Sequence, residues 1–468
     1  MSIHHLAIGI HPLPGPAAPG CRLCALLHEL PLVFVAAVAA LVASTSAFAQ
    51  SRQIPAPPQS RPIVVAGATI HTISGPTLAD GYVVFREGRI TDVGQGDHPQ
   101  IENATVINAE GLHVYPGLIS ADTTLGLVET QAVAVTIDHT EYGRVTPEVR
   151  AAVAINPDSD LIPVARASGI LTALVFPRGG LVSGRCSTIR LDGWTWEQMA
   201  IDAEAGLVIH WPRTEPTRRG RADSPSEKEQ RKQIKENLEA IERLFDDAAA
   251  YIQARDADPT QSTDLRFEAM RAVLGGEKPV FVRASSPGQI ESAVAWSVRR
   301  NLRIVIVGGR EADRAIPLLA KHNVPVVITG VHRLPRQRHA PFDSPFTLPA
   351  KLHEAGIRFV IASGSSPAHE RSLSQNAATA VAFGLPRGAA LRAVTIGAAQ
   401  VLGLGGSHGS IEEGKAATLI ITTGDPLQIT TDILVAFIDG RRIDLCNRHK
   451  TLYRKYREKY RQLGLLSE

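Results

Sequence analysis

The sequence predicts an α/β fold in which a parallel sheet, either a barrel or a doubly wound sheet, accompanies a small sheet built from both chain ends. Two patterns support this prediction. Short β-prone runs separated by turns cluster near the two ends, and continuous Val/Ile-rich runs alternate with helical stretches between them. Such continuous apolar runs are typical of parallel strands buried on both faces.

The strands of the small sheet are predicted in two groups. Residues 63–70, 82–85, 90–93 and 105–107 are β-prone, and Glu87-Gly88 forms a hairpin turn. We expect a small antiparallel sheet from these runs. Residues 417–422 and 433–438 repeat the pattern near the other end, with a turn at Asp439-Gly440. The two groups are therefore predicted to share one sheet.

The central strands are predicted at residues 170–176, 207–209, 280–282, 304–307, 326–328 and 359–362. Residues 224–255 depart from this rhythm, because they are dense in charge and place Ile234, Leu238, Ile241 and Phe245 at helical spacing. We expect an amphipathic helical insertion whose apolar stripe covers its own core. A docking helix for a partner is the alternative. The basic residues 450–461, with interleaved tyrosines, predict a solvated closing helix.

Composition and charge limit the classes of function. The chain has 468 residues, of which 44% are hydrophobic and 20% charged, enough for one large α/β domain and a smaller companion. The formal net charge is +3, and basic residues are interspersed with acidic ones. This pattern argues against a nucleic-acid-binding or membrane-surface protein. Small, roughly neutral ligands are expected instead.

The amino-terminal segment predicts export. An apolar stretch at residues 30–43 is followed by Ala47-Phe48-Ala49, which suits signal-peptide cleavage before Gln50, so a periplasmic or secreted protein is expected. The apolar run is shorter than the ~20 residues of a spanning helix, so a permanent membrane anchor is the weaker alternative.

Cysteine usage does not indicate a disulfide scaffold. Cys21 and Cys24 lie in the predicted signal peptide, which leaves Cys186 and Cys446 in the mature protein. We expect two buried, unpaired thiols, and a disulfide between them is the alternative.

Two segments that contain none of the candidate catalytic residues resemble those of a known family. Residues 112–119 read Leu-His-Val-Tyr-Pro-Gly-Leu-Ile, and residues 409–419 read Gly-Ser-Ile-Glu-Glu-Gly-Lys-Ala-Ala-Thr-Leu. In this order and spacing, the chain resembles the amidohydrolase superfamily, closest in style to its imidazolonepropionase-like branch, over roughly residues 60–445. The resemblance implies a distorted (β/α)8 TIM-like barrel, a small β-sandwich formed by both chain ends, and hydrolysis of non-peptide carbon–nitrogen bonds. It also implies a divalent metal at the carboxyl end of the barrel.

The resemblance and the composition together divide the chain. The predicted boundaries are a signal peptide at 1–49, a linker at 50–61, the amino-terminal part of the β-sandwich at 62–112, the barrel at 113–408 with a charged helical insertion at about 221–275, the carboxyl-terminal part of the β-sandwich at 409–446, and a closing helix at 447–468.

The metal ligands that the family uses are not present. Its Asp-x-His-x-His pattern corresponds here to residues 120–124, so Asp122 and Thr124 stand where two histidines belong. Arg283 stands where the family has a later histidine, and a permanent cation cannot bind a metal. The last strand leads into Ser363 and Ser365 where the family has an aspartate. We therefore predict no metal or other cofactor, with zinc as the alternative.

A metal-free site is the next hypothesis. Asp122 would act as general base, Arg283 would stabilise an oxyanion, and Ser363 or Ser365 would donate hydrogen bonds. The favoured interpretation is structural: Asp122 and Arg283, expected on neighbouring barrel strands, form a salt bridge that fills the space of a metal.

Other polar residues have weaker claims. His210 is expected to be a satisfied residue at a strand end, and His332 and His339 lie in a polar loop where solvent or an anion is the expected contact. The glycine-rich residues 177–184 either line a pocket or form an ordinary loop.

Two functions remain open. The first is an exported amidohydrolase-like hydrolase whose metal chemistry is lost or altered. The second is a non-catalytic binding or scaffold protein that pairs, as a homo- or hetero-oligomer, with an active relative. The substrate or small-molecule ligand cannot be read from the sequence, because a fold does not specify a reaction.

Overall fold

The computed structural model describes residues 53–217, 225–364 and 366–466. The predicted signal peptide and Ser365 lie outside the described residues, so those predictions remain untested. Cys186 and Cys446 are both unpaired; Cys186 is buried and Cys446 is partly buried.

The strands of the described residues form two sheets. In chain order they are β1 (Ile63–His71), β2 (Thr77–Arg86), β3 (Arg89–Gln95), β4 (Thr105–Asn108), β5 (His113–Pro116), β6 (Leu118–Thr123), β7 (Ile170–Val175), β8 (Val182–Arg190), β9 (Ala200–His210), β10 (Val280–Ala284), β11 (Ile304–Gly308), β12 (Val326–Thr329), β13 (Phe359–Ala362), β14 (Leu419–Thr422), β15 (Ile433–Ile438) and β16 (Arg441–Arg442).

The helices are mostly short. They are α1 (Leu161–Arg166), α2 (Trp196–Met199), α3 (Glu227–Ala257), α4 (Leu265–Glu268), α5 (Arg271–Leu274), α6 (Pro287–Arg299), α7 (Ile316–Lys321), α8 (Ser344–Glu354), α9 (Leu373–Ala382), α10 (Arg387–Ala393), α11 (Ile396–Val401) and α12 (Arg448–Gln462). Short 3-10 helices occupy Ala134–Thr136, Ala151–Ala154, Ala312–Ala315 and Pro367–Ser372.

The first sheet joins both chain ends. Its strand order is β16-β15-β14-β5-β1-β2-β3, and β4 also pairs with β1. The rings of Phe85 on β2 and Phe437 on β15 meet edge to face at 5.0 Å although β1, β5 and β14 lie between their strands. The sheet therefore curls around one apolar core, to which both chain ends contribute.

One detail of that sheet differs from the prediction. β1 runs antiparallel to β2 but parallel to β4 and β5, so the expectation of a purely antiparallel sheet was wrong. The β2–β3 hairpin occupies one side of β1, and the chain then returns along the other side in the direction of β1. Hairpin turns in the sequence mark only the antiparallel contacts.

The second sheet is a nearly closed barrel. Its order is β13-β12-β11-β10-β9-β8-β7-β6, and the terminal strands β6 and β13 lie against each other. β9 to β13 are parallel, whereas β8 is antiparallel to both of its neighbours. The predicted fold class, a distorted (β/α)8 TIM-like barrel with a smaller sheet from both chain ends, is confirmed.

β8 is the strand that sequence reasoning missed. It begins at Val182, inside the glycine-rich stretch interpreted as a loop. Gly184 has φ +112°, and a Cβ there would lie 2.7 Å from the carbonyl oxygen of Val149. The glycine thus allows two backbones to approach, and the small and polar residues around it conceal the strand.

The insertion helix α3 covers its own core. Ser226 and Glu229 form a capping box at its start, and Ile241, Leu244 and Phe245 are buried. The Phe245 ring packs edge to face on Trp296 of α6 at 4.9 Å. These contacts favour the structural interpretation of the insertion.

The carboxyl-terminal helix α12 has no buried residue, in agreement with a solvated closing helix. Within the parts of the chain that are described, no helix combines the length and the apolar character needed to cross a membrane.

Candidate functional site

Asp122 and Arg283 meet inside the barrel. Asp122 lies near the end of β6 and is fully buried, and Arg283 lies near the end of β10. Arg283 Nη2 donates a hydrogen bond to Asp122 Oδ1. The sequence analysis expected these two strands to be neighbours, and that expectation was wrong, because β7, β8 and β9 lie between them in the sheet. Closure of the barrel brings the two side chains together.

Two further side chains complete the environment of Asp122. Arg178, which follows β7, donates from Nη2 to Asp122 Oδ1 at 3.1 Å. Thr329, the last residue of β12, donates from Oγ1 to Asp122 Oδ2 at 2.8 Å. One carboxylate thus accepts hydrogen bonds from three different strand ends.

These contacts fix the charge of Asp122. Burial alone would raise the pKa of its carboxyl group, but Arg283, Arg178 and the hydrogen bond from Thr329 outweigh burial and lower that pKa below its ordinary value. Asp122 is therefore ionised at neutral pH. Its ion pairs with two guanidinium groups make it a poor proton acceptor.

A second buried carboxyl group lies beside this cluster. Glu370, in the 3-10 helix Pro367–Ser372, is 1% exposed and accepts hydrogen bonds from Ser120 at 2.7 Å and Ser363 at 2.6 Å. Burial raises the pKa of Glu370 to about 7, although hydrogen bonds from Ser363, Thr123 and Ser120 oppose this. Glu370 is thus partly protonated near neutral pH.

The predicted site is only partly assembled. Asp122 and Arg283 come together, but Ser363 binds Glu370 and has no recorded hydrogen bond to either of them among the described residues. Ser365 lies outside those residues. The role of Ser363 as an oxyanion donor therefore has no geometric support.

His210 ends β9 next to Arg283. Burial, with Arg283 and Arg178 nearby, lowers the pKa of His210 to about 4, so the ring is neutral. Its Nε2 atom is buried without a hydrogen-bond partner among the described residues. The expectation of a satisfied strand-end histidine was therefore wrong for this nitrogen.

The residues at this position do not fit a divalent metal. A catalytic zinc site needs about three neutral imidazole or carboxylate ligands aimed at one point. Among the described residues, no group of three or more His, Cys, Asp or Glu side chains could hold a metal ion. Asp122 is already paired with two guanidinium groups, and their positive charge would repel a metal cation. The side chains thus favour an internal ion-pair cluster over a metal centre.

A cavity of about 1100 Å³ opens beyond this cluster, and both Arg283 and Thr329 line it. Its lining among the described residues includes two carboxylates, Glu215 and Glu311, and six arginines: Arg213, Arg283, Arg310, Arg314, Arg336 and Arg338. We call it the arginine cavity. Its position beside the carboxyl ends of the parallel strands is where barrel proteins bind ligands.

Comparison with known proteins decides the family. The model of the amidohydrolase family matches residues 196–444, which is more than half of the chain. The chain belongs to the amidohydrolase family. It is similar to amidohydrolase tasK of Hapsidospora irregularis, with 23% identity over 394 residues. That match covers 77% of this chain but 39% of tasK, so the chain spans well under half of that relative.

Two other proteins resemble this amidohydrolase-family chain along most of their length. An imidazolonepropionase of Sphingopyxis alaskensis is 24% identical over 404 residues, covering 77% of this chain and 92% of the relative. The crystal structure of an amidohydrolase from Thermotoga maritima superposes with a TM-score of 0.72 at 23% identity, covering 82% of this chain and 99% of the other. At this identity the structural likeness shows the fold alone.

Sequence reasoning assigned no role in the site to Arg178, Thr329 or Glu370, although Arg178 lies in the glycine-rich residues 177–184 that it considered as a pocket lining. Arg178 follows a barrel strand closely, as Arg283 ends one, so a search of every strand end for charge would have found it. Thr329 is also a polar residue at a strand end, the last residue of β12, but it is uncharged and so gives a weaker signal. Glu370 has none, because only the fold brings its helix to Ser120, 250 positions away in sequence.

Proposed function

We propose that this chain is an exported amidohydrolase-family protein in which metal-dependent hydrolysis of non-peptide carbon–nitrogen bonds is lost, and whose barrel binds a small molecule without a metal. One observation carries the proposal: the buried carboxylate at the family's metal position is ion-paired to Arg178 and Arg283.

The cost of breaking that cluster supports the proposal. A metal bound by Asp122 would have to displace two guanidinium groups that are themselves largely buried, with side-chain exposures of 17% and 13%. Separating a buried ion pair costs about 3–5 kcal/mol, since each partner is left without compensation. Arg283 would then lie close to the added positive charge.

Hydrolysis without a metal is the competing function, and the pKa of Glu370 favours it. A carboxyl group with a pKa of about 7 suits general acid–base catalysis near neutral pH. However, Glu370 is buried and is not among the residues that line the arginine cavity. A ligand in that cavity would not reach its proton, so binding without catalysis has the better support.

Metal analysis of the purified protein tests the proposal. After incubation with zinc and removal of excess metal, wild type and Asp122→Ala are both expected to retain far less than about one equivalent of zinc. The opposite result is near-stoichiometric zinc in wild type that falls, together with amide or cyclic-amide hydrolysis, in Asp122→Ala. Asp192→Ala provides the control, because it removes a buried, arginine-paired carboxylate elsewhere.

Export and association with an active relative are the remaining parts of the proposal. Cell fractionation of the tagged full chain would place it in the periplasm or medium. Light scattering of the purified protein, alone and mixed with a metal-containing relative, would detect a homo- or hetero-oligomer.

A further inference from the structure

The charge around the arginine cavity is unlike that of the whole chain. The chain carries a formal net charge of +3, whereas the described cavity lining alone has six arginines and two glutamates. The near-neutral ligands expected from overall composition do not match such a surface. A concave cationic surface instead concentrates field and favours anions.

The arginines come from consecutive strands rather than from one surface helix. Arg213 follows β9, Arg283 lies in β10, and Arg310 follows β11. Arg336 and Arg338 lie in the segment after β12. Guanidinium groups from four adjacent strand ends thus border the same cavity, and such groups bind carboxylates and phosphates in bidentate fashion.

Two of these six cations have no recorded partner among the described residues. Among the described residues, no hydrogen bond or ion pair is recorded for Arg310 or Arg338. Arg336 and Arg314 share one carboxylate, Glu311, at 2.9 and 3.7 Å. The lining therefore keeps an excess of positive charge that its own carboxylates do not neutralise.

Arg333 lines a second cavity that shares Arg310 and Arg336 with the arginine cavity. Burial, with Arg310 and Arg336 nearby, lowers the pKa of Arg333 to about 10. Its Nη2 atom is buried without a hydrogen-bond acceptor among the described residues. A bound anion near these groups would relieve their mutual repulsion.

The start of α6 adds positive electrostatic potential of a different origin. Residues Ser286, Pro287 and Gly288 line the cavity at the amino end of this 13-residue helix. The helix macrodipole places partial positive charge there, which favours anions. Helix end and arginines point to the same ligand chemistry.

We infer that the arginine cavity is a binding site for a small polyanion, an organic molecule carrying two or more phosphate or carboxylate groups. The inference rests on the proposed function in one respect, since Arg283, which lines the cavity, is paired with Asp122 and not placed beside a metal. The cavity, which is open to solvent, has a volume of about 1100 Å³, enough for a small molecule.

Calorimetric titration of the full chain with inorganic tripolyphosphate and with citrate, at low ionic strength, tests this inference. Saturable binding of at least one probe is expected, weakening as salt is added. In the Arg310→Gln/Arg338→Gln variant the Kd should rise about tenfold or more, because two unpartnered guanidinium groups are lost. Arg457→Gln/Arg454→Gln, which removes equal charge from α12, should bind as wild type does.

Absence of binding by both probes would overturn the inference, as would an equal loss of affinity in the α12 control. Binding of a single-stranded DNA oligonucleotide without either small anion would also overturn it, since the ligand would then be a polymer. The metal test is separate: stoichiometric zinc contradicts the proposed function, while failed anion binding contradicts only the present inference.

Discussion

Thr329 Oγ1 donates a hydrogen bond of 2.8 Å to Oδ2 of Asp122, joining the end of β12 to the end of β6 across the barrel. Asp122 also accepts from Arg178 and Arg283 on two other strand ends. One buried carboxylate therefore links four strands of the barrel. Its neighbours can be changed singly to measure what each contributes.

The Thr329 hydroxyl is expected to stabilise the fold. Thr329→Val keeps the shape of the side chain but leaves Oδ2 of a buried carboxylate without this donor, so the free energy of unfolding should fall by about 1–3 kcal/mol. Urea denaturation measures the loss. Thr329→Ser retains the hydroxyl and should stay close to wild type; an equally large loss in that variant would assign the effect to the methyl group instead.

Removing the charge of Asp122 should have a larger effect. In Asp122→Asn, Arg178 and Arg283 remain largely buried without a carboxylate, at an expected cost of about 3–5 kcal/mol. The pKa of Asp122 is lowered in the folded protein, so its stabilisation exists above the unfolded pKa and disappears as pH falls through the folded value. The difference between wild type and Asp122→Asn should therefore shrink on acidification, and a pH-independent difference would contradict this account.

Glu370 should make stability fall as pH rises. Its pKa is raised from 4.5 to about 7, so the folded state holds a proton that the unfolded state has released over that interval. Glu370→Gln should remove this slope and be more stable than wild type above pH 7 by up to about 3 kcal/mol. Denaturation at a series of pH values measures it. Glu291→Gln, an exposed change on α6, should leave the slope as it is.

The sequence predicts the architecture better than the site. The strands β10 to β13 could be predicted from their Val/Ile runs, because parallel strands are buried on both faces and therefore have continuous apolar sequences. The sequence analysis missed β8 because its residues are mostly small or polar and because it pairs antiparallel with β9, outside the parallel strand–helix–strand pattern. The hydrophobic pattern of a sequence thus identifies strands that are buried through apolar side chains. It does not identify a strand such as β8, whose buried residues include Ser, Gly and Thr.

The site was predicted where the family resemblance supplied a position and missed where only the fold supplies one. Asp122 and Arg283 were found because they replace expected ligands. Glu370 was not, since only the folded chain brings it to Ser120, 250 positions away in sequence. The family's substitutions were read residue by residue, whereas the arginine cavity is a collective property of four strand ends.

Asp192, a buried carboxylate apart from the Asp122 cluster, should hold the two sheets together. Asp192, just after β8, accepts hydrogen bonds from Arg166 at 2.6 Å and from Arg441 of β16 at 2.7 Å, and also from the backbone amide of Ala56 at 3.2 Å. Its side chain is 1% exposed, so Asp192→Asn should lower the free energy of unfolding by about 3–5 kcal/mol. Glu227→Gln, which breaks the exposed pair with Arg231, should cost about 0.5 kcal/mol or less. The difference expected between the two variants comes entirely from burial. Equal decreases in the free energy of unfolding, measured by thermal or urea denaturation, would show that the buried Asp192 pairs stabilise the fold no more than an exposed pair does.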